Sequence, residues 1–189
     1  MHKIVFILLG FLFSFSIGAC SNAGHQENAA PTDPDATAVP GTESGAVIEV
    51  IPTRYEPLLE KFKAHPDQLV LVNFWATWCK PCVQDLPNFR KVIHEYKEQG
   101  KALHFIMVTL DTKDNLASSV LPFLKKNDYR AEHYLLDDNG RMNEWIPKIN
   151  KEWEGEIPAT ALYKNGEQVV FKAGQLSEEA LRQLLQQYL

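Results

Sequence analysis

The stretch Leu69-Val-Leu-Val-Asn-Phe74 runs without a break into Trp75-Ala-Thr-Trp-Cys-Lys-Pro-Cys82. A short, almost continuous apolar run is the pattern of a strand buried on both faces, which requires a layer of helix above and below it. Downstream, Leu86, Phe89, Val92, Ile93 and Tyr96 recur at helical intervals until Gly100, a helix stop. Leu103 to Leu110 is a second buried strand. Strand, helix and strand make one βαβ unit, so this chain is confined to an α/β class with parallel pairing at its centre.

The two cysteines stand where the first of these strands turns into the helix. A helix start carries partial positive charge that stabilises a thiolate at Cys79, and one turn brings Cys82 within reach of a disulfide. Pro81 suits the first helical turn, where its missing N–H is no loss. A zinc site would need further ligands. There is no second CxxC, and His65, His94, His104 and His133 form no ligand-spaced pair, so no metal is expected. Haem attachment fails because Val83 stands where CxxCH requires His. No cofactor is expected.

The third cysteine has a different setting. His2 and Lys3 precede Ile4 to Ile17, in which 11 of 14 residues are large and apolar. That length suits a signal-peptide core and falls short of the roughly 20 residues of a membrane span. It ends Ile17-Gly18-Ala19-Cys20, which resembles the bacterial lipobox. The resemblance implies a leader over 1–19, lipidation of Cys20, and an extracytoplasmic protein anchored to a bacterial membrane. Residues 21–46 follow with three Pro, three Gly and Val39 as the only large aliphatic, too little to bury a core, so 20–46 reads as a lipidated cysteine and a disordered tether. Its four acids, with no Lys or Arg, account for most of the chain's formal charge of -5. Residues 47–189 are nearly balanced, with 18 basic and 20 acidic residues, so no nucleic-acid surface is expected.

Within 47–189 the remaining expectations are a strand at Val47–Ile51 and a helix over Arg54–Ala64. A helix over 114–127, a strand at Glu132–Leu136, a turn at 137–140 and a short amphipathic segment to Ile149 follow. Asn165-Gly166 between Ala159–Tyr163 and Gln168–Lys172 predicts a hairpin with a type I′ turn. Ser177 is an N-cap with Glu178 and Glu179 in the first turn of a last helix. Ala180 stands where a full capping box needs Glu or Gln.

The residues VNFWATWCKPC, with Pro87 five positions on and Gly155-Glu-Ile-Pro-Ala-Thr160 downstream, resemble a thioredoxin-fold active site. More narrowly, they are similar to the TlpA/ResA/CcmG-like thiol-disulfide oxidoreductases. The resemblance implies a thioredoxin-like domain over 47–189, with a central mixed sheet flanked by helices and a helix and strand insertion in the middle. It also implies Cys79 as an exposed attacking thiol, Cys82 as the resolving thiol and Pro158 as a cis residue beside them. Ile157 would pair with a substrate strand, Trp75 and Trp78 would shield the site, and Trp78, Lys80 and Pro81 would meet the substrate. Partners would be a protein disulfide and an upstream membrane reductant. Two departures from thioredoxin proper stand out. Asn73 occupies the place of its buried Asp, an Asn the TlpA/ResA-like proteins share, and, like them, the chain has an acid, Asp85, three residues after the second cysteine, expected to assist proton transfer at Cys82 or tune its pKa. The second is Glu156, where thioredoxin has Gly; with Glu152 and Glu154 it forms an acidic stretch before Pro158, read as a solvated charge run. Two rival readings are a noncatalytic adaptor and a peroxiredoxin-like peroxide reductase. The latter needs a Thr and a Pro before a lone cysteine, and here only Thr77 is present.

Overall fold

The computed structural model describes residues 47–189; the leader over 1–19, Cys20 and the tether 21–46 lie outside the described residues. Among the described residues six strands form one sheet in the order β1-β4-β3-β2-β5-β6. The strands are β1 Val50–Thr53, β2 Leu69–Trp75, β3 Leu103–Thr109, β4 Glu132–Leu136, β5 Ala159–Lys164 and β6 Glu167–Ala173. The helices are α1 Tyr55–Lys63, α2 Lys80–Glu98, α3 Leu121–Lys126, α4 Met142–Ile149 and α5 Glu178–Gln186. β1, β4, β3 and β2 run parallel, while β5 and β6 are antiparallel, so the sheet is mixed as expected.

β2 is buried along its whole length because it lies between β3 and β5 and is covered on both faces. Its alternate residues feed two separate cores. Leu69, Leu71 and Trp75 join a cluster with Leu86, Phe89 and Val92 of α2, Leu124 of α3 and Leu181 and Leu185 of α5. Val70, Val72 and Phe74 join Leu58 and Phe62 of α1 and Trp145 and Ile149 of α4. Asn73 has the parity of the first face and is buried, paired across the sheet with Thr160.

The hairpin forms as expected, with Asn165 at φ 54° and Gly166 at φ 79°, both left-handed as a type I′ turn requires. Ser177 Oγ accepts the Ala180 N–H at 3.2 Å, and the helix begins there. Three expectations shift. β1 starts at Val50 rather than Val47, because its register is set by parallel pairing to His133–Leu136 and Val47 lies beyond that partner. As an edge strand it tolerates Pro52. The helix expected over 114–127 is present from 114 to 126 as one run, with a π-helical turn at Leu116–Val120 leading into α3. Pro122 has no N–H to donate to the Ser118 carbonyl, and the wider π turn just before it, closed by the Leu121 N–H on the Leu116 carbonyl, carries the helix past that point. The turn at 137–140 becomes a 3₁₀ turn over Asn139–Arg141.

Candidate active site

The site is built where β2 ends. Asp111, fully buried just after β3, accepts hydrogen bonds from the Thr77 backbone N–H at 2.8 Å, the Thr77 hydroxyl at 2.6 Å and the Thr109 hydroxyl at 2.5 Å. A buried carboxylate is stable only when its lone pairs are occupied, and here that requirement ties the 76–78 loop to the end of β3. Cys79 then caps α2, its Sγ accepting the Cys82 N–H at 3.3 Å. Cys79 and Cys82 are joined as a disulfide, with Cα atoms 5.3 Å apart. The helix N–H aimed at Cys79 Sγ is the group that would stabilise a thiolate when the bond is reduced.

The Ile157–Pro158 peptide is cis, as the resemblance implied, and the Ile157 carbonyl oxygen lies 3.6 Å from Cys79 Sγ. The loop leading there is held from below. Trp153 Nε1 donates to the Glu156 carbonyl at 2.8 Å, and the Glu156 carboxylate accepts the Glu154 N–H at 3.1 Å. Gly155 takes φ 96°, a conformation L side chains rarely adopt, and a Cβ there would stand 2.8 Å from Ile146 Cδ1, whose chain would have to turn aside. Glu156 is thus a loop fastener as well as an exposed acid, whereas the Glu152 and Glu154 side chains are exposed.

Two expectations about exposure change. Cys79 is 5% exposed and Cys82 1% exposed, so the first cysteine is the less covered of two buried residues. The disulfide and the Ile157 contact account for the cover. Trp75 is a core residue, its ring 5.2 Å from Phe123, in the same buried cluster as Cys79 and Cys82. Trp78 stands 64% exposed beside Cys79. With exposed Lys80 and half-buried Pro81 and Ile157 it forms the surface around the cysteines.

Asp85, one turn beyond Cys82, is buried. Its hydrogen bonds run to the loop before α5 rather than to the cysteines: Oδ1 accepts Gln175 Nε2 at 3.0 Å and Oδ2 accepts the Leu176 N–H at 2.8 Å. The Gln175 amide also reaches the Pro81 carbonyl at 3.2 Å, linking Asp85 back to the inter-cysteine segment. Burial pushes the Asp85 carboxyl above its ordinary range, against the opposing pull of those two hydrogen bonds. Gln175 and Asp111 carry no signal of their roles in the sequence. Nothing local marks them, since their partners lie 90 and 34 residues away. The histidine reading also changes in three dimensions, because His65 and His104 stack beside Glu132.

A mixed sheet with a helix-capping disulfide opposite a cis-proline loop defines a thioredoxin-fold protein with a CxxC centre. The AhpC/TSA family matches residues 59–172, which include both cysteines and Pro158, and the chain belongs to that family. It is 34% identical over 101 residues to the thiol-disulfide oxidoreductase ResA of Oceanobacillus iheyensis, covering 52% of this chain and 45% of that protein. It is 36% identical over 61 residues to ResA of Bacillus cereus, covering 32% of each. These matches span less than half the length of the relatives. A thioredoxin family thiol:disulfide interchange protein from Chlorobium tepidum superposes with a TM-score of 0.53 at 17% identity, covering 66% of this chain and 81% of that one, a likeness of fold.

Proposed function

We propose that this protein is a thiol-disulfide oxidoreductase that reduces protein disulfides outside the cytoplasm. The observation that carries the reading is the Cys79–Cys82 disulfide at the start of α2, with the Cys82 N–H on Cys79 Sγ and the Ile157 carbonyl beside it. In the reduced protein the Cys79 thiolate attacks one sulfur of a substrate disulfide, forming a mixed disulfide and releasing the other sulfur as a thiolate. Cys82, losing its proton, then attacks Cys79 Sγ, which restores the internal disulfide and releases the second substrate thiol. Two electrons pass to the substrate, and an upstream membrane reductant returns two to the pair. The helix start and the Cys82 N–H favour the thiolate at Cys79, while the Ile157 carbonyl opposes it, so a free Cys79 thiol has an acceptor there.

Pro158 and the Ile157 backbone form the substrate edge, on which an extended chain adds as a strand. Trp78, Lys80 and Pro81 supply contact area around the bond. Asp85 acts on Cys82 through its charge and proton from one turn away. Lipidation at Cys20 and the 21–46 tether hold the domain at a bacterial membrane, and maturation of cytochrome c or a comparable apoprotein is the kind of work such a protein does. The peroxidase alternative is disfavoured by Thr77, whose hydroxyl is given to Asp111. An adaptor has no need of an oxidised pair capping a helix.

The test is a Cys82→Ala variant exposed to extracytoplasmic proteins, which is expected to accumulate mixed disulfides on Cys79, whereas Cys79→Ala accumulates none. Equilibration of the unsubstituted protein with a graded thiol/disulfide buffer is expected to give a potential below about -200 mV. A value near about -120 mV would reverse the direction, and no redox equilibrium at all would leave the adaptor reading.

A further inference from the structure

A second cluster lies at the other end of the sheet. The cysteines follow the C-terminal end of β2, whereas His104 is the second residue of β3 and Glu132 the first of β4, both parallel to β2. His104 stands in register with Val70, five residues and so about 17 Å of strand before Trp75. His65 comes from the turn after α1. Its ring stacks on that of His104 with centroids 3.7 Å apart and planes at 25°. Glu132 Oε2 lies 2.9 Å from His104 Nε2 and 4.0 Å from His65 Nε2, and one ligand atom from each of the three residues falls within 4.8 Å of the others.

His104 is hydrogen-bonded to Glu132, and His65, too far from the carboxylate to share that bond, is placed by its stack on His104. A four-coordinate zinc ion, with bonds of about 2.0–2.2 Å, needs its donor atoms about 3.3 Å apart. Reaching that spacing widens the 2.9 Å separation slightly, closes the 4.0 Å one by less than an ångström and turns the two rings out of their stack, since imidazole lone pairs lie in the ring plane. The Tyr134 hydroxyl donates to Glu132 Oε1 at 3.2 Å, which orients the carboxylate and leaves Oε2 toward the imidazoles, the outer support that metal-binding carboxylates use. The three side chains retain 33%, 23% and 37% exposure, so solvent reaches the cluster.

We propose that His65, His104 and Glu132 form a divalent transition-metal site of the zinc class, with both imidazoles and one Glu132 oxygen as ligands and water in the fourth position. Two imidazoles with one carboxylate suit zinc or copper over magnesium or calcium, which prefer all-oxygen sites. The ion would join the α1–β2 turn to β3 and β4, and binding only the folded chain it would raise stability. The proposal is independent of the redox reading.

The test uses the full chain carrying Cys20→Ser and kept oxidised, so that no thiolate competes. Titration with Co²⁺ is expected to give the visible bands of a four-coordinate ion at one equivalent, and Zn²⁺ is expected to displace it. His65→Ala, His104→Gln and Glu132→Gln are each expected to weaken binding at least tenfold, with His94→Ala leaving it unchanged. Side-chain nitrogen spectra of the chain with these histidines intact guard against misfolded variants: Zn²⁺ is expected to shift His65 and His104. If Zn²⁺ moves neither nitrogen, or if affinity is indifferent to all three substitutions or is lost with His94, the site does not exist.

Discussion

Asp85 is the residue at which chemistry and stability meet. Its carboxyl is buried and raised, so between the ordinary value of 3.8 and its own higher one the folded chain holds a proton that the unfolded chain has lost. Stability from this group is complete below 3.8 and is lost as pH rises through the folded value. Asp85→Asn is expected to flatten that part of the pH–stability curve in denaturant titrations. On the chemical side, removing a negative charge one turn from Cys82 is expected to lower the Cys82 thiol pKa and slow exchange. If thiol titration and exchange rate are both unchanged, Asp85 only fastens the 175–176 loop. Asn73 takes no part in proton exchange, because an amide in that place has no proton to give at any ordinary pH. Its Nδ2 donates to Thr160 Oγ1 at 3.4 Å, a link between β2 and β5.

Among the elements, α1 shows how a distant residue completes a local one. Arg54, at its N-cap, offers no side-chain bond, and the Tyr55 N–H is instead accepted by Asp138 Oδ2 at 3.0 Å from 83 residues away. Arg141 holds the same carboxylate at 2.7 Å, bridges to Glu56 and lies 4.7 Å over the Tyr55 ring. Burial works to raise the Asp138 carboxyl, but the hydrogen bonds from Arg141 and Tyr55 overcome it, and the group sits below its ordinary range. Its contribution is therefore present above pH 3.8 and lost as pH falls through the lowered value. Asp138→Ala is expected to cost about 1–2 kcal/mol at neutral pH, the worth of a helix cap, and to shrink that difference in acid, as read by thermal unfolding. The βαβ unit, the Asn-Gly hairpin and α5 were legible because period, turn chemistry and caps are all local signals. The π turn before Pro122 had a local signal too, since proline lacks the N–H that an α-helix needs there. The start of β1 had none, because strand register belongs to the partner strand.

For the whole molecule, the proposed division of labour is a lipid anchor, an acidic tether and a folded unit whose charge is nearly balanced. Cys20→Ala is expected to move the protein from the membrane to the soluble fraction of its host while the Cys79–Cys82 couple keeps its potential. A protein that stays with the membrane would mean that the leader itself anchors it. The sequence by itself determined the α/β class and the dithiol at a strand-to-helix junction, because each depends on residues within a turn or two of one another, while the place of Pro158 beside the cysteines was implied only by the family resemblance. Only the tertiary structure decided which distant groups meet: Asp111 under Thr77, Gln175 between Asp85 and Pro81, and His65 on His104 beside Glu132. The physical reason is that hydrogen bonds and ligand sets act through space over a few ångströms, and strand order brings together side chains that chain distance keeps apart.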